Sequence, residues 1–341
     1  MTANRMKSIH RHRLPASDSG PDYRHIYFSP HLDDAILSCA GRIAQQTGAG
    51  HQVLVVTIFA GSGDGATRPP PAFAPFQDIP ARRCEDRRAL DVVAADHRWL
   101  DFPDAIQRHR RYASLVGITA PIARREAPLR RAVTTEVARI CRRWPTAKLY
   151  FPLAIGNHVD HQIAAAAGFT LLSGGRPERA VTFYEDVPYV CIPHLLRQRF
   201  ELAGIASPPG AAPTVPVCAR AREAHAGLMS LPQFARHAGP VASGLLYALL
   251  TVRFGRAHCG ARRRRWIAMQ AELAGIDGEF DTKVAAVACY DSQVAAIYGD
   301  RDTMRRQLAD CCATGGSNAM YERYWHPTEP DPAPPTQATF S

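Results

Sequence analysis

Two short segments rich in imidazole and carboxylate, Ser29-Pro30-His31-Leu32-Asp33-Asp34 and Gly156-Asn157-His158-Val159-Asp160-His161, each follow directly on a short apolar run that reads as a buried strand. If they act together, the fold must carry the ends of two strands, distant in the chain, into one crevice. Open α/β sheets do this, because their parallel strands all finish on one side and ligands bind outside those carboxyl ends. The first run, His25-Ile26-Tyr27-Phe28, stops at Ser29-Pro30, where proline disfavours further pairing. From Asp33 to Thr47 the apolar residues recur with helical spacing, and Gly48 suits the C-terminal cap.

The same alternation continues. Val53 to Phe59 is a continuous apolar, β-branched run suited to a parallel strand covered on both faces. A Gly- and Pro-rich loop from Gly61 to Pro80 precedes an amphipathic helix over Ala81 to Ala95, then a short strand at Trp99-Leu100. A helix from Pro128 to Trp144 leads to the strand Leu149-Tyr150-Phe151 and the second segment. Further on, the pattern predicts a helix from Ile163 to Leu172, a strand at Val181-Thr182-Phe183-Tyr184 and a late helix from Asp281 to Tyr298. The expected class is α/β: a Rossmann-like three-layer sandwich with a mainly parallel sheet and an inserted lid region. Residues 1–23 read as a disordered basic tail and 24–325 as a single domain. Within that domain, residues 193–261 form the insertion or lid, and 326–341 are a tail too rich in proline to pack.

The chain of 341 residues, 46% hydrophobic, is long enough for a sizeable core. Its nine cysteines, at scattered spacings without a Cys-x-x-Cys pair, suggest reduced thiols, Cys311-Cys312 included, and a cytoplasmic location. The first residues lack the apolar centre of a secretory signal, and Val241 to Val252 is too short and interrupted to span a bilayer. The formal charge of +10 and the run Arg262-Arg263-Arg264-Arg265 raise the question of nucleic acid. Nearly all of that charge is arginine in an alanine- and proline-rich chain, so a solvated basic face is expected and nucleic acid is not. An anionic substrate or a peripheral membrane contact stays open as its partner.

The two segments point to metal-assisted hydrolysis. A hydrolytic zinc site takes three nitrogen or oxygen ligands from protein and leaves a fourth position to water, a count that His31, Asp34 and His161 fill. Iron(II) or cobalt could take the same ligands. Asp33 and Asp34 open a helix, where exposed amides favour negative charge, and adjacent aspartates point apart, so one can bind metal while its neighbour faces water. Asp160 is available to orient an imidazole through its second nitrogen.

The pair of segments resembles the PIG-L (LmbE-like) zinc N-deacetylases, which share a Pro-His-x-Asp-Asp and a later His-x-Asp-His motif. Supporting fragments are Arg82-Arg83-Cys84-Glu85, Leu100-Asp101-Phe102-Pro103-Asp104, Tyr184-Glu185-Asp186-Val187-Pro188-Tyr189, and Lys283 with Ala286, Tyr290, Ser292 and Gln293. The resemblance implies zinc on His31, Asp34 and His161, Asp33 as general base, and His158 as general acid or oxyanion stabiliser. It also places Arg82 and Asp104 at positions that hold sugar hydroxyls, with Glu185 in an acidic, aromatic wall. The implied reaction removes an N-acetyl group from an N-acetylglucosamine-type sugar or its conjugate. The alternatives are an amidase on a non-sugar amide or thiol-conjugate substrate and a catalytically silent sugar- or lipid-binding protein. Leu32 and Val159 stand where the family often has proline, and Ala35 where it often has glutamate.

Overall fold

The computed structural model describes residues 21–63, 71–173, 181–206, 267–313 and 319–328, with Glu223 and Ala226. The strands are β1 (His25–Ser29), β2 (Val53–Thr57), β3 (Asp96–Trp99), β4 (Lys148–Pro152), β5 (Val181–Tyr184), β6 (Ala268–Gly275) and β7 (Tyr321–Thr328). They form one sheet in the order β3-β2-β1-β4-β5-β7-β6. The first five run parallel, while β7 pairs antiparallel with β5 and β6. The chain therefore winds outward from β1 in both directions. The gap between β1 and β4, where the strand order reverses, is where such sheets open a ligand crevice.

The helices are α1 (Asp34–Gly48), α2 (Ile79–Val92), the single turns α3 (Ala105–Arg108) and α4 (Leu115–Ile118), α5 (Ala127–Arg143), α6 (Val159–Ser173), α7 (Leu195–Ala203), α8 (Phe280–Val287), α9 (Asp291–Ile297) and α10 (Arg301–Cys312). Alternation along the strands sends Ile26 and Phe28 into one core with α5 and α6. Tyr27 enters the other with α1, α8, α9 and α10. These are the three layers expected.

Several boundaries differ from expectation. The late helix is two, α8 and α9, separated at Cys289-Tyr290. Tyr23, placed in the tail, is buried against Trp144 and donates to Asp96 at 2.8 Å. The chain after Trp325 packs after all: β7 runs on to Thr328, with Pro327 opposite Met269 of β6. Proline is tolerated there because the ladder from β5 ends at Trp325, so no neighbour on that side needs its missing N–H. Cys191 and Cys311 form a disulfide, with Cα atoms 5.5 Å apart, correcting the expectation of thiols throughout. Partners 120 residues apart leave no spacing signature. Val241 to Val252, the arginine run and most of the expected lid lie outside the described residues. Among the described residues no helix is long and apolar enough to cross a membrane.

The late segments matter because they clamp α1. The carboxylate of Glu322 on β7 accepts from Gly41 N and Arg42 N, both at 2.9 Å, and from the wholly buried Lys283 at 2.7 Å. Gly41 is required for this approach, since a Cβ there would lie 2.8 Å from Ile276. The first motif thus sits on a helix whose far side is fixed.

Candidate functional site

Both motifs lie at the carboxyl ends of their strands. After β1, Ser29 Oγ donates to His31 O at 2.6 Å and accepts from Ala35 N at 3.0 Å, tying the loop to the start of α1. Asp33 is the N-cap residue of α1, yet its side chain makes no capping bond. Its carboxylate lies 3.5 Å from the Arg82 guanidinium. After β4, the turn needs backbone in the left-handed region at Ala154, Gly156 and Asn157. A Cβ on Gly156 would meet the Tyr189 ring at 2.9 Å. Asn157 Nδ2 and Gln162 Nε2 donate to Thr119 O and Ala120 O, which sets α6 so that His161 in its first turn faces α1.

Asp34 Oδ2 is the point of convergence. It lies 3.0 Å from His31 Nδ1 and 3.2 Å from His161 Nε2, and accepts from His31 N at 2.8 Å. The outer nitrogen of each imidazole faces a buried carboxylate. His31 Nε2 is 3.2 Å from Asp160 Oδ2, and His161 Nδ1 is 2.7 Å from Asp186 Oδ1. Zinc with bonds of about 2.0–2.2 Å separates tetrahedral ligand atoms by about 3.3–3.5 Å, close to the two spacings made by Asp34 Oδ2. Fixing each outer nitrogen leaves the inner one aimed inward, as metal-binding histidines require.

Other groupings compete. One nitrogen from each of His31, His158 and His161 lie within 4.8 Å of one another, as do donor atoms of His31, Asp104, His158 and Asp160. His158 is less suited to ligation, because its Nδ1 accepts from Asp160 N at 3.2 Å and the neutral ring then carries its proton on Nε2. Asp160 is already engaged at both oxygens, by Ala105 N at 2.9 Å and Arg108 at 2.6 Å.

Electrostatics separate these groups. Burial pushes His161 down, but Asp34 and Asp186 outweigh it and lift the imidazole to about 9. His31 is raised well above its usual value against the same burial penalty, by Asp104, Asp160 and Asp34. His158 is held well below the ordinary histidine range by burial and by His31, and so is neutral. Burial lifts Asp33 to about 6 despite Arg82, whereas His161 and His31 hold Asp34 well below the usual carboxylate range against its own burial. The carboxylates around His31 and His161 therefore favour positive charge at this point of the site.

Residues 26–172 match the family described as GlcNAc-PI de-N-acetylase, PIG-L. This segment belongs to the PIG-L family. The 2'-N-acetylparomamine deacetylase of Niallia circulans is 31% identical over 192 residues, which cover 48% of this chain and 66% of that protein. The enzyme of the same description from Streptomyces fradiae is 31% identical over 174 residues, covering 49% and 57%. The chain thus spans less than two thirds of either relative. A deacetylase–bog complex of the teicoplanin biosynthesis pathway superposes with a TM-score of 0.59 at 21% identity, covering 90% of this chain and 99% of that one. The zinc-inhibited form of teicoplanin deacetylase gives 0.58 at 21% identity over the same shares. These likenesses show that the fold is that of PIG-L/LmbE-like deacetylases.

Within the PIG-L segment the structure brings His31, Asp33, Asp34, His158, Asp160 and His161 together. Asp104 caps α3 through Ile106 N and places its other oxygen 3.6 Å from His31 Nε2. Arg82 is buried, donates to Phe76 O at 3.3 Å, and leaves its Nε without a partner among the described residues. Glu185 turns away, accepting from Trp325 Nε1 at 3.0 Å and lying 3.2 Å from Arg323. Its neighbour Asp186, beyond the PIG-L segment, reaches His161 instead. Sequence reasoning singled out neither Asp186 nor Arg108. The available signal was the need of each ligating imidazole for a second carboxylate.

Proposed function

We propose that the chain is a metal-dependent N-deacetylase that hydrolyses the acetamide of an N-acetylglucosamine-type sugar, free or within a small glycoconjugate. The observation that carries this reading is the convergence of His31 Nδ1 and His161 Nε2 on Asp34 Oδ2, with Asp160 and Asp186 on the outer nitrogens. His31, Asp34 and His161 would hold the ion; two imidazoles and a carboxylate suit zinc, and also iron(II) or cobalt. Once bound, a divalent cation supplies Lewis acidity, which polarises the amide carbonyl and makes water easier to deprotonate.

Asp33 is the general base. It adjoins a ligand, is not engaged in capping, and at about 6 is ionised at neutral pH yet basic enough to hold a proton and return it to the departing amine. His158 offers an Nε2–H where negative charge develops on the carbonyl oxygen; as a neutral ring it acts as a hydrogen-bond donor. Asp160 is a positioning residue for His31. Arg82, whose Nε has no partner among the described residues, and Asp104 are proposed to meet the sugar hydroxyls. Glu185 is proposed to brace that wall from behind, through Trp325 and Arg323. The amino-sugar choice is supported by the two relatives, whose described substrate is an acetylated amino sugar.

The test is elemental analysis together with acetate release from N-acetylglucosamine, 2'-N-acetylparomamine and a simple non-sugar amide. The expected result is about one divalent ion per chain and acetate from the sugars, abolished by a chelator and restored by zinc. Acetate from the non-sugar amide alone would make the protein an amidase. Hydrolysis of none, with sugar still bound, would make it a binding protein.

A further inference from the structure

We propose that Arg108 is a positioning residue for the metal centre, acting on His31 through Asp160; the inference rests on the metal-centre reading above. The single turn α3 grips Asp160 at both oxygens. Its first amide, Ala105 N, donates to Oδ2 at 2.9 Å, and its last side chain, Arg108, places Nη2 2.6 Å from Oδ1. The oxygen held by Ala105 is the one that faces His31 Nε2 at 3.2 Å. The Asp160 side chain is 0% exposed, so its orientation is set by its contacts within the protein.

Arg108 is itself immobilised. Its Nη1 donates to Pro103 O at 2.9 Å, and its Nε lies 3.3 Å from Glu126, whose other oxygen accepts from Tyr112 OH at 2.9 Å. The guanidinium also lies over the Phe59 ring, 5.2 Å from its centroid. A cation fixed on these sides keeps its charge against Oδ1, and the single ammonium of a lysine could not also reach Pro103 O and Glu126. With Asp160 fixed, its Oδ2 holds His31 Nε2 and leaves Nδ1 turned toward Asp34. Without Arg108, Asp160 loses the group held against Oδ1 and is free to turn, and His31 loses its orienting partner.

The experiment compares the full-length wild type with Arg108→Met, Arg108→Lys, Asp160→Asn and the double variant Arg108→Met/Asp160→Asn. Zinc affinity is read by competition with a chromophoric chelator, and ligand geometry by the visible spectrum of the cobalt(II) forms. Arg108→Met and Asp160→Asn should each weaken zinc binding by about 10- to 100-fold and alter the cobalt spectrum, with Arg108→Lys in between. The double variant, which removes the unpaired charge at position 160, should bind zinc as Asp160→Asn does, and Arg108→Lys, which keeps a cation beside the buried Glu126, serves where Arg108→Met does not fold. Wild-type affinity and spectrum in a folded Arg108→Met protein would overturn the proposal. A double variant about tenfold weaker than Asp160→Asn would also overturn it, since Arg108 would then act by another route. Failure of the wild type to bind zinc would overturn the metal-centre reading as well.

Discussion

The two ends of the same parallel strands each bury histidine, and they treat it in opposite ways. At the start of β1, His25 stacks on His51, with Nε2 3.0 Å from its Nδ1 and Nδ1 3.1 Å from Tyr150 OH. Burial, His51 and the cations Lys148, Arg42 and Arg24 push His25 down to about 4. Just past the other end of β1 lie His31 and, across the sheet, His161, where carboxylates reverse the burial penalty and His161 rises to about 9. Burial is common to both ends. The charged neighbours decide the difference, and of the two ends it is the carboxyl end that favours positive charge.

The sharpest test of this contrast is Asp33→Asn. It should leave metal content unchanged and lower turnover by about 10²- to 10⁴-fold, while His25→Gln at the opposite end leaves the rate intact. Near-normal turnover in the Asp33 variant would end its assignment as base. Next in size, Asp186→Asn should weaken zinc binding by about 10- to 100-fold, measured by chelator competition; unchanged affinity would mean that the outer contact of His161 is irrelevant to the ion.

A smaller effect concerns pH. Because Asp33 must be ionised to accept a proton, kcat/KM should fall as pH drops through about 6. An acid limb located well away from there would point to another group. The smallest effect is on the melting temperature of the chelated protein. His161, raised from 6.5 to about 9, contributes stability that is fully present below 6.5 and lost as pH rises through about 9. His25, lowered from 6.5 to about 4, contributes stability present above 6.5 and lost as pH falls through about 4. His161→Gln should flatten the alkaline slope and His25→Gln the acid one. Exchanged assignments would break the comparison.

The parallel half of the fold was legible because β1, β2, β4 and β5 are covered on both faces and therefore read as unbroken apolar runs. The antiparallel strands were not. β6 is mostly exposed or half-exposed and β7 alternates buried with half-buried residues, so each carries a weak apolar signal, and Pro327 argued against pairing. At the site, His31, Asp33, Asp34 and His161 could be found because they are packed into short motifs that each follow a strand. Asp186 could not, since it adjoins the equally acidic Glu185 and only the finished sheet decides which faces the crevice and which faces Trp325. Arg108 is one of many arginines, and its proximity to Asp160 exists only after β4 and α3 have come together.

The clamp on α1 has a bearing on how this protein can be dissected. The family-matched stretch stops at residue 172, yet the carboxylate that steadies the middle of α1 is at Glu322 and the one that turns His161 is at Asp186. A fragment trimmed to the matched stretch would keep all three candidate ligands while discarding what aims them, so expression truncations and chimeras should carry the chain through Thr328.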